Sequence, residues 1–235
     1  MTRIAIIPAR GGSKRIPKKN IKPFLGKPII AYSIEAAINS NLFDEVIVST
    51  DDSDIAKIAK QYGAVIPFLR SQKNSDDFAT TFDVIQEVLN WYNNKGFNIE
   101  TASCIYATAP FITSNLLLKA YQNLINNEFD TVFPVIRFSF PIQRAIKMIN
   151  HNGKMALFQP EHLNTRSQDL ETAYQDAGQF YFFRPKIVLE KKKIWTDNSG
   201  IIEINELQAQ DIDTETDWKL AELKYKIQND EETSF

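Results

Sequence analysis

Ile4-Ala5-Ile6-Ile7-Pro8, running straight into Ala9-Arg10-Gly11-Gly12-Ser13-Lys14-Arg15-Ile16-Pro17-Lys18-Lys19-Asn20, joins a short apolar strand to a basic loop with paired glycines. A loop that leaves a buried strand lies at the carboxyl edge of a sheet, where α/β proteins bind ligands. Gly11 and Gly12 let main-chain N–H groups come close to an anion. Ser13 adds a hydroxyl donor. Arg10 can grip a phosphate through two N–H groups, while Lys14 and Lys19 supply point charges. A triphosphate suits so many cations at such short spacing. The loop matches neither the G-x-x-x-x-G-K-[ST] pattern nor G-x-G-x-x-G. A run of charges is also what a solvated loop looks like, so residue types alone leave both roles open.

The charge distribution narrows the choice. Residues 1–27 hold eight basic side chains and no acid, within a 235-residue chain of net charge −2. Everything after Lys27 is therefore strongly acidic. That excludes a general nucleic-acid binder by composition and points to a local anion near the first strand. A non-catalytic nucleotide or polyanion binder using the loop alone is the alternative from a different class. Hydrophobic residues make up 43%, and no apolar run reaches the ~18 residues needed to span a membrane. The N-terminal apolar stretch is too short, and too soon basic, for a signal peptide. With Cys104 as its one cysteine the chain can form no internal disulfide, so a cytoplasmic setting is expected.

Moving outward from the loop, Pro28–Asn39 carries helix-period apolar residues and Glu45–Thr50 reads as a β-branched strand. Ser53 is placed to cap a helix over Asp54–Tyr62, with Gly63 after it. Thr80–Asn94 repeats the helical period, Ser103–Ala107 is a strand, and Thr113 caps a helix over Ser114–Asn127. Thr131–Val135 is a further strand. This alternation predicts a parallel sheet with helices on both faces. The rhythm then changes. Ala145–Ile149 and Lys154–Phe158 flank His151-Asn152-Gly153, a hairpin signal. We read the chain as one domain over 1–235, with residues ~136–170 as an insertion on the main sheet, an arm or dimer element. Tyr181–Phe183 and Gly200–Ile204 return to the core. A last helix starts at Thr214, with Asp217 completing a capping box, and ends near Ile227. The polar tail Asn229–Phe235 is expected to fray.

Gln210-Asp211-Ile212-Asp213-Thr214 is the second chemical signal. In an extended segment Asp211 and Asp213 point to one side. Two hard carboxylates one residue apart suit Mg²⁺, which binds oxygen and keeps several waters. Equally, acids before a helix favour its positive end, and the sequence leaves both roles open.

Taken together, IIPARGGSKRIPKKNI at 6–21, GKPIIAYSIEAA at 26–37, EVIVSTDD at 45–52, NTRSQDL at 164–170 and QDIDTETDW at 210–218 resemble the cytidylyltransferases that activate acidic sugars, the CMP-sialic acid synthetase family. The likeness covers nearly the whole chain. The sugar-side segments IYATAPF at 105–111, SFPIQRA at 139–145, FQPEHLNTRSQDLE at 158–171 and YQDAGQFYF at 174–182 look like the branch that takes pseudaminic acid. Sialic acid enzymes usually carry a Gln-Pro-Thr-Ser-Pro type segment where this chain has Tyr106-Ala107-Thr108-Ala109-Pro110. They often carry Arg-Arg-Gln-Asp where it has Arg166-Ser167-Gln168-Asp169. These departures argue against ordinary sialic acid and leave CTP use intact.

The resemblance implies a three-layer nucleotidyltransferase fold, Rossmann-like and glycosyltransferase-A-like, with a small insertion used for dimerisation. It implies transfer of CMP from CTP to an acidic nine-carbon sugar with Mg²⁺, in a homodimer; sialic acid, legionaminic acid and the eight-carbon Kdo are alternative acceptors. Carried over by position, Arg10, Gly11, Gly12, Ser13, Lys14 and Lys19 would hold phosphates, with Asn20 near ribose or base and Arg70 and Thr80 at cytosine and ribose. Asp211 and Asp213 would hold the metal, and one would take the hydroxyl proton. Tyr106, Arg166, Gln168, Gln179, Phe180 and Tyr181 would line the sugar pocket, and Gln143 and Arg144 would act across a dimer. From residue type alone, Tyr106, Phe180 and Tyr181 fit core aromatics as well, Arg166 could pair with Asp169, and Cys104 reads as a buried strand residue.

Overall fold

A computed structural model describes residues 2–232 of the chain. In order the elements are β1 (Thr2–Pro8), β2 (Pro23–Phe24), β3 (Lys27–Pro28), α1 (Ile29–Asn39), β4 (Glu45–Ser49), α2 (Ser53–Gln61), α3 (Thr81–Asn94), β5 (Ile99–Ile105), α4 (Ser114–Asn126), β6 (Thr131–Arg137), β7 (Ile146–Met148), β8 (Met155–Leu157), β9 (Tyr174–Asp176), β10 (Phe180–Phe183), α5 (Pro185–Lys191), β11 (Ser199–Glu203) and α6 (Glu215–Glu232).

The main sheet runs β11-β6-β10-β5-β1-β4, with β9 also on β6. Strand β1 sits between β4 and β5 and is parallel to both. Its residues Ile4 to Ile7 are wholly buried, as expected of a strand covered on both faces. Alternation sends them to opposite sides. Ala5 and Ile7 join the core packed by α1, α2 and α4, whereas Ile4 and Ile6 join the core packed by α3 and α5. The same alternation divides β10: Phe180 and Phe182 face the first core, Tyr181 and Phe183 the second. The result is the expected three layers.

The expectation of a parallel sheet needs correction at its centre. Strand β10 is antiparallel to both β5 and β6, and β9 is antiparallel to β6. Strands β9 and β10 follow one another along β6, interrupted at 177–179, where Gly178 has φ +63° and donates its N–H to Asp176 Oδ1 at 2.9 Å. The chain leaves β6, makes its long excursion, and returns beside β6 without a crossover helix. Antiparallel pairing is the arrangement that needs no such crossover.

The excursion occupies 138–173. It contains the anticipated hairpin, β7 on β8 in antiparallel register, with Gly153 at φ +81° in the turn. Phe140, Ile146, Met148, Met155 and Phe158 along it are largely exposed. A separate cluster is built on α6, whose Trp218 and Ala221 pack with Ile212 against Ile16, Phe24 and Ile29. This cluster brings the last helix against the loop that follows β1. The capping box appears as read: Asp217 Oδ2 accepts from Thr214 N at 2.7 Å, and Thr214 Oγ1 accepts from Asp217 N at 3.3 Å. The helix continues past Ile227 to Glu232, beyond the point where fraying was expected, and the last residues of the tail, 233–235, lie outside the described residues. Helix α5 was not anticipated, although Pro185 at its first position is a helix-start signal. No helix among the described residues is long and apolar enough to cross a membrane.

One turn fixes the basic loop against the sheet. Asp51 Oδ1 accepts from Gly11 N at 2.9 Å. Next to it Asp52, not Ser53, caps α2: its Oδ1 accepts from Asp54 N at 2.8 Å and Ile55 N at 3.0 Å. An aspartate in extended conformation just before the helix meets these orphan donors, and Ser53 is already the first helical residue. A Cβ at Gly11 would stand 2.7 Å from Asp52 Oδ2, so glycine permits this approach. We therefore expect Asp52→Ala to cost about 1 kcal/mol, the usual value of a lost cap. Gly11→Ala should cost at least as much by pushing Asp52 off the helix. Each should lower the thermal midpoint by roughly 2–4 °C; an unchanged midpoint for Gly11→Ala would show that the loop tolerates a Cβ.

Candidate active site

A cavity of about 690 Å³ opens at the carboxyl ends of β1, β4 and β5. The loop after β1 forms one wall. Arg10, Ser13, Lys14, Arg15 and Lys19 all line it. Arg10 donates through Nη1 to the Asp76 carbonyl at 2.8 Å and lies 3.0 Å from Asp77 Oδ1. Lys14 pairs with the same Asp77. Lys14 foremost, then Arg10, holds the Asp77 carboxyl below the usual carboxylate range. Arg15 meets Asp213 Oδ1 at 2.8 Å. Lys19 donates to the Ile212 carbonyl at 2.6 Å and lies 3.5 Å from Asp213. Four cations thus share two carboxylates, leaving an excess of positive charge. Exposed pairs of this kind contribute little, about 0–1 kcal/mol each, and yield readily to a multiply charged anion.

Behind the cations stand groups fixed by burial. Asn20 is buried and donates through Nδ2 to the Arg10 carbonyl at 2.9 Å, tying the two ends of the loop together. Arg70 is only 6% exposed. Its Nε donates to Ser49 Oγ at 3.0 Å and its Nη2 to the Ser49 carbonyl. Burial lowers its pKa, yet a guanidinium stays charged. A rigid, desolvated cation therefore faces the cavity from the end of β4. Thr80 sits on the rim, with its hydroxyl engaged in the capping box of α3 with Asp83. Tyr106 closes the inner end, hydrogen-bonded to Thr81 Oγ1 at 3.1 Å.

Asp213 also lines this cavity, although Asp211 does not. Ile212, buried between them, anchors the segment in the α6 cluster. Partial burial, then the negative charge of Asp213, pushes the Asp211 pKa up. The positive end of α6 is already met by Asp217 and Thr214. Asp213 is thereby left to face the loop cations Arg15 and Lys19. Among the described residues no three His, Cys, Asp or Glu side chains form a metal site by themselves. Asp213 on the cavity wall, with Asp211 two residues away, would still fit Mg²⁺ if phosphate and water supplied its remaining ligands.

The other expected residues lie elsewhere. Gly11 and Gly12 do not line the cavity, and the Gly11 N–H is engaged by Asp51. Phe180 is wholly buried in the core shared with α1 and α4, so its assignment to a sugar pocket is corrected: alternation along β10 turns it to the helix face. Tyr181 is the neighbour that approaches, packing edge-on to Tyr106 at 5.9 Å while its hydroxyl donates to Asp176. It supports Tyr106 from behind and does not line the cavity. Gln179 is likewise buried, its amide donating to the Gln208 carbonyl. On the excursion, Gln143 Nε2 donates to the Glu171 carbonyl at 2.9 Å and Arg144 to Ser167. Arg166 forms a two-point pair with Asp169, at 2.7 and 3.3 Å, and Gln168 is exposed. None of these four lines the cavity within one chain. Cys104 is buried, which pushes its thiol up to about 12 and leaves it inert as a nucleophile. Asp76 and Asp77 were not singled out from the sequence. Their signal was an acidic pair just before the Thr80 cap, across from the basic loop.

A family model described as cytidylyltransferase matches residues 4–226. The chain is 43% identical to the pseudaminic acid cytidylyltransferase of Campylobacter jejuni, over 98% of this chain and 99% of that protein. It is 30% identical to the CMP-N,N'-diacetyllegionaminic acid synthase of Legionella pneumophila, over 93% and 94%. Among solved structures, a CMP:2-keto-3-deoxy-manno-octonic acid synthetase complexed with CTP aligns with a TM-score of 0.71 over 98% of this chain and all of that one. At 16% identity this likeness speaks for the fold. The β1 loop, the mixed sheet and the near-complete matches agree: the chain belongs to the cytidylyltransferase family.

Proposed function

We propose that this enzyme activates pseudaminic acid. The C2 hydroxyl of the α-keto acid sugar attacks the α-phosphorus of CTP, the bond to the bridging oxygen breaks, and pyrophosphate leaves as the CMP-sugar forms. What carries this is the convergence of Arg10, Lys14, Arg15 and Lys19 on one cavity with Asp213 on its wall, in a chain 43% identical to an enzyme of that name. Arg10, Lys14 and Lys19 exchange their carboxylate partners for the phosphates. Arg70, held rigid by Ser49, and the rim at Thr80 take the nucleoside. No covalent intermediate is needed, so rate comes from positioning and from charge stabilisation in place. Bound at Asp211 and Asp213, Mg²⁺ would supply charge neutralisation on the phosphates. One of the two aspartates would take the hydroxyl proton. Nucleotide chemistry and a single buried thiol suit a cytoplasmic enzyme.

The sugar-side residues of the excursion find a role in a homodimer. Exposed Phe140, Ile146, Met148, Met155 and Phe158 form an apolar arm larger in character than scattered surface residues. Pairing the arm with a second copy would cover it and would bring Gln143, Arg144, Arg166 and Gln168 to the partner's cavity beside Tyr106. Sedimentation should give a dimer, and Met148→Glu should shift it toward monomer and raise KM for the sugar more than for CTP. A monomeric wild-type protein with full activity would rule this arrangement out.

The substrate is tested by pyrophosphate release from CTP and Mg²⁺ with a panel of pseudaminic, sialic and legionaminic acids and Kdo. Pseudaminic acid should be fastest, and no release with it would overturn the proposal. Arg10→Ala should lower kcat/KM by at least ~100-fold, about 2.7 kcal/mol of barrier. A loss under about threefold would contradict its role.

Asp211 links function to stability. Its folded pKa is raised, so its ionised form is disfavoured on folding. The penalty is present above the folded pKa and absent below the ordinary aspartate pKa, where both states are neutral. Asp211→Asn should therefore raise the thermal midpoint at pH 7, lose that gain below the ordinary aspartate pKa, and impair catalysis. A lower midpoint at pH 7 would show that the charge is stabilising where it stands.

A further inference from the structure

The segment 205–213 carries Asp211 and puts Asp213 on the cavity wall, yet no strand pairs with it. After a short turn at Glu206–Gln208 it runs extended, with Ala209 and Ile212 buried in two different clusters. Its carbonyls are met instead by side chains from distant parts of the chain. Gln179 takes the Gln208 carbonyl and Lys19 the Ile212 carbonyl. Lys224, on α6, takes two: its Nζ donates to the Glu206 carbonyl at 3.0 Å and the Ala209 carbonyl at 2.8 Å. Among the described residues no carboxylate lies within ion-pair distance of this ammonium. A half-buried lysine with two carbonyls in place of an acid is built to hold main chain, since hydrogen bonds from a charged donor are about twice as strong as neutral ones.

We propose that Lys224 is a positioning residue for the reaction, clamping the main chain at 206 and 209 so that the aspartates two and four residues beyond Ala209 stand in register with the cavity. Lys224 grips from behind, where it touches neither substrate nor metal, and Lys19 grips from the front. The two lysines hold the segment from both sides. A carboxylate displaced by about 1 Å from its working position can cost about 10²-fold in rate. The clamp thus matters to chemistry more than to overall stability. Arginine at 224 could still donate to both carbonyls, whereas methionine would keep the aliphatic stem and lose the donors.

This rests on the assignment of Asp211 and Asp213 to Mg²⁺, and the test separates the two. In Lys224→Met, kcat should fall at least tenfold while KM for CTP changes less than twofold. Amide hydrogen exchange should quicken across 205–213 and stay as in wild type across 8–20. The gain in CTP affinity on adding Mg²⁺, measured by calorimetry against CTP in EDTA, should shrink at least fivefold. Lys224→Arg should restore most of each. Wild-type protein whose CTP affinity ignores Mg²⁺ would overturn the metal assignment. A Lys224→Met enzyme with wild-type kcat, Mg²⁺ response and loop exchange would overturn the role of Lys224 itself.

Discussion

Lys19 joins the two ends of the chain. It leaves the loop after β1, donates to the carbonyl of Ile212 at 2.6 Å, and lies 3.5 Å from Asp213, a sequence separation of 193 residues from the carbonyl it holds. The rest of the site depends on that meeting. In the proposed reaction, a basic loop without carboxylates would bind anions and do nothing to them. Carboxylates without the cradle would have no charge to work against. The meeting is secured by apolar packing: Ile16 and Phe24 from the first segment pack with Ile212, Trp218 and Ala221 from the last. Lys22 extends the seam, pairing with Glu215 at 2.7 Å and lying 4.6 Å over the Trp218 ring. Burial supplies the holding energy here, because the exposed ion pairs are too weak to do so.

Much of this was legible in the sequence, for physical reasons. A central strand buried on both faces reads as an unbroken apolar run, and Ile4–Ile7 is one. Caps declare themselves through side-chain oxygen spacing, as Thr113 and the Thr214–Asp217 box do. Local chemistry is weaker where two candidates adjoin. Asp52 and Ser53 both suit a cap, and the backbone there selects aspartate because it leaves Ser53 helical. The orientation of β10 was not legible at all. Its aromatic run Phe180-Tyr181-Phe182-Phe183 fits either direction of pairing, and only the missing crossover helix decides it.

The same limit applies to side chains around the cavity. The basic loop was found because charge density survives in one dimension. The split between Phe180 and Tyr181 is a matter of which face of β10 each occupies, a fact set by register. Gln179 is assigned to the sugar pocket only through the family resemblance. Its burial and its bond to the Gln208 carbonyl give the side chain a structural use. Residues on the excursion are a different case: Arg166 pairs with Asp169 and does not line the cavity that Tyr106 lines, so their sugar-side role rests on the proposed dimer.

Asp77 shows how the cradle avoids paying for its own charge. Arg10, Lys14, Arg15 and Lys19 repel one another, and such a loop would splay in water. Asp77 from one side and Asp213 from the other neutralise part of that repulsion, Asp77 and Arg15 through solvent-exposed pairs and Lys19 through a half-buried one. Solvent exposure keeps the pairs weak, so they organise the loop without competing strongly with a triphosphate. A buried partner would hold the cations more firmly, and each would then resist transfer to the ligand. The cavity is thus charged enough to draw an anion and loosely enough paired to release its cations to it. The fixed elements, Asn20 and Arg70, are buried, whereas Lys14 and Arg15 are exposed and Arg10 and Lys19 are half-buried.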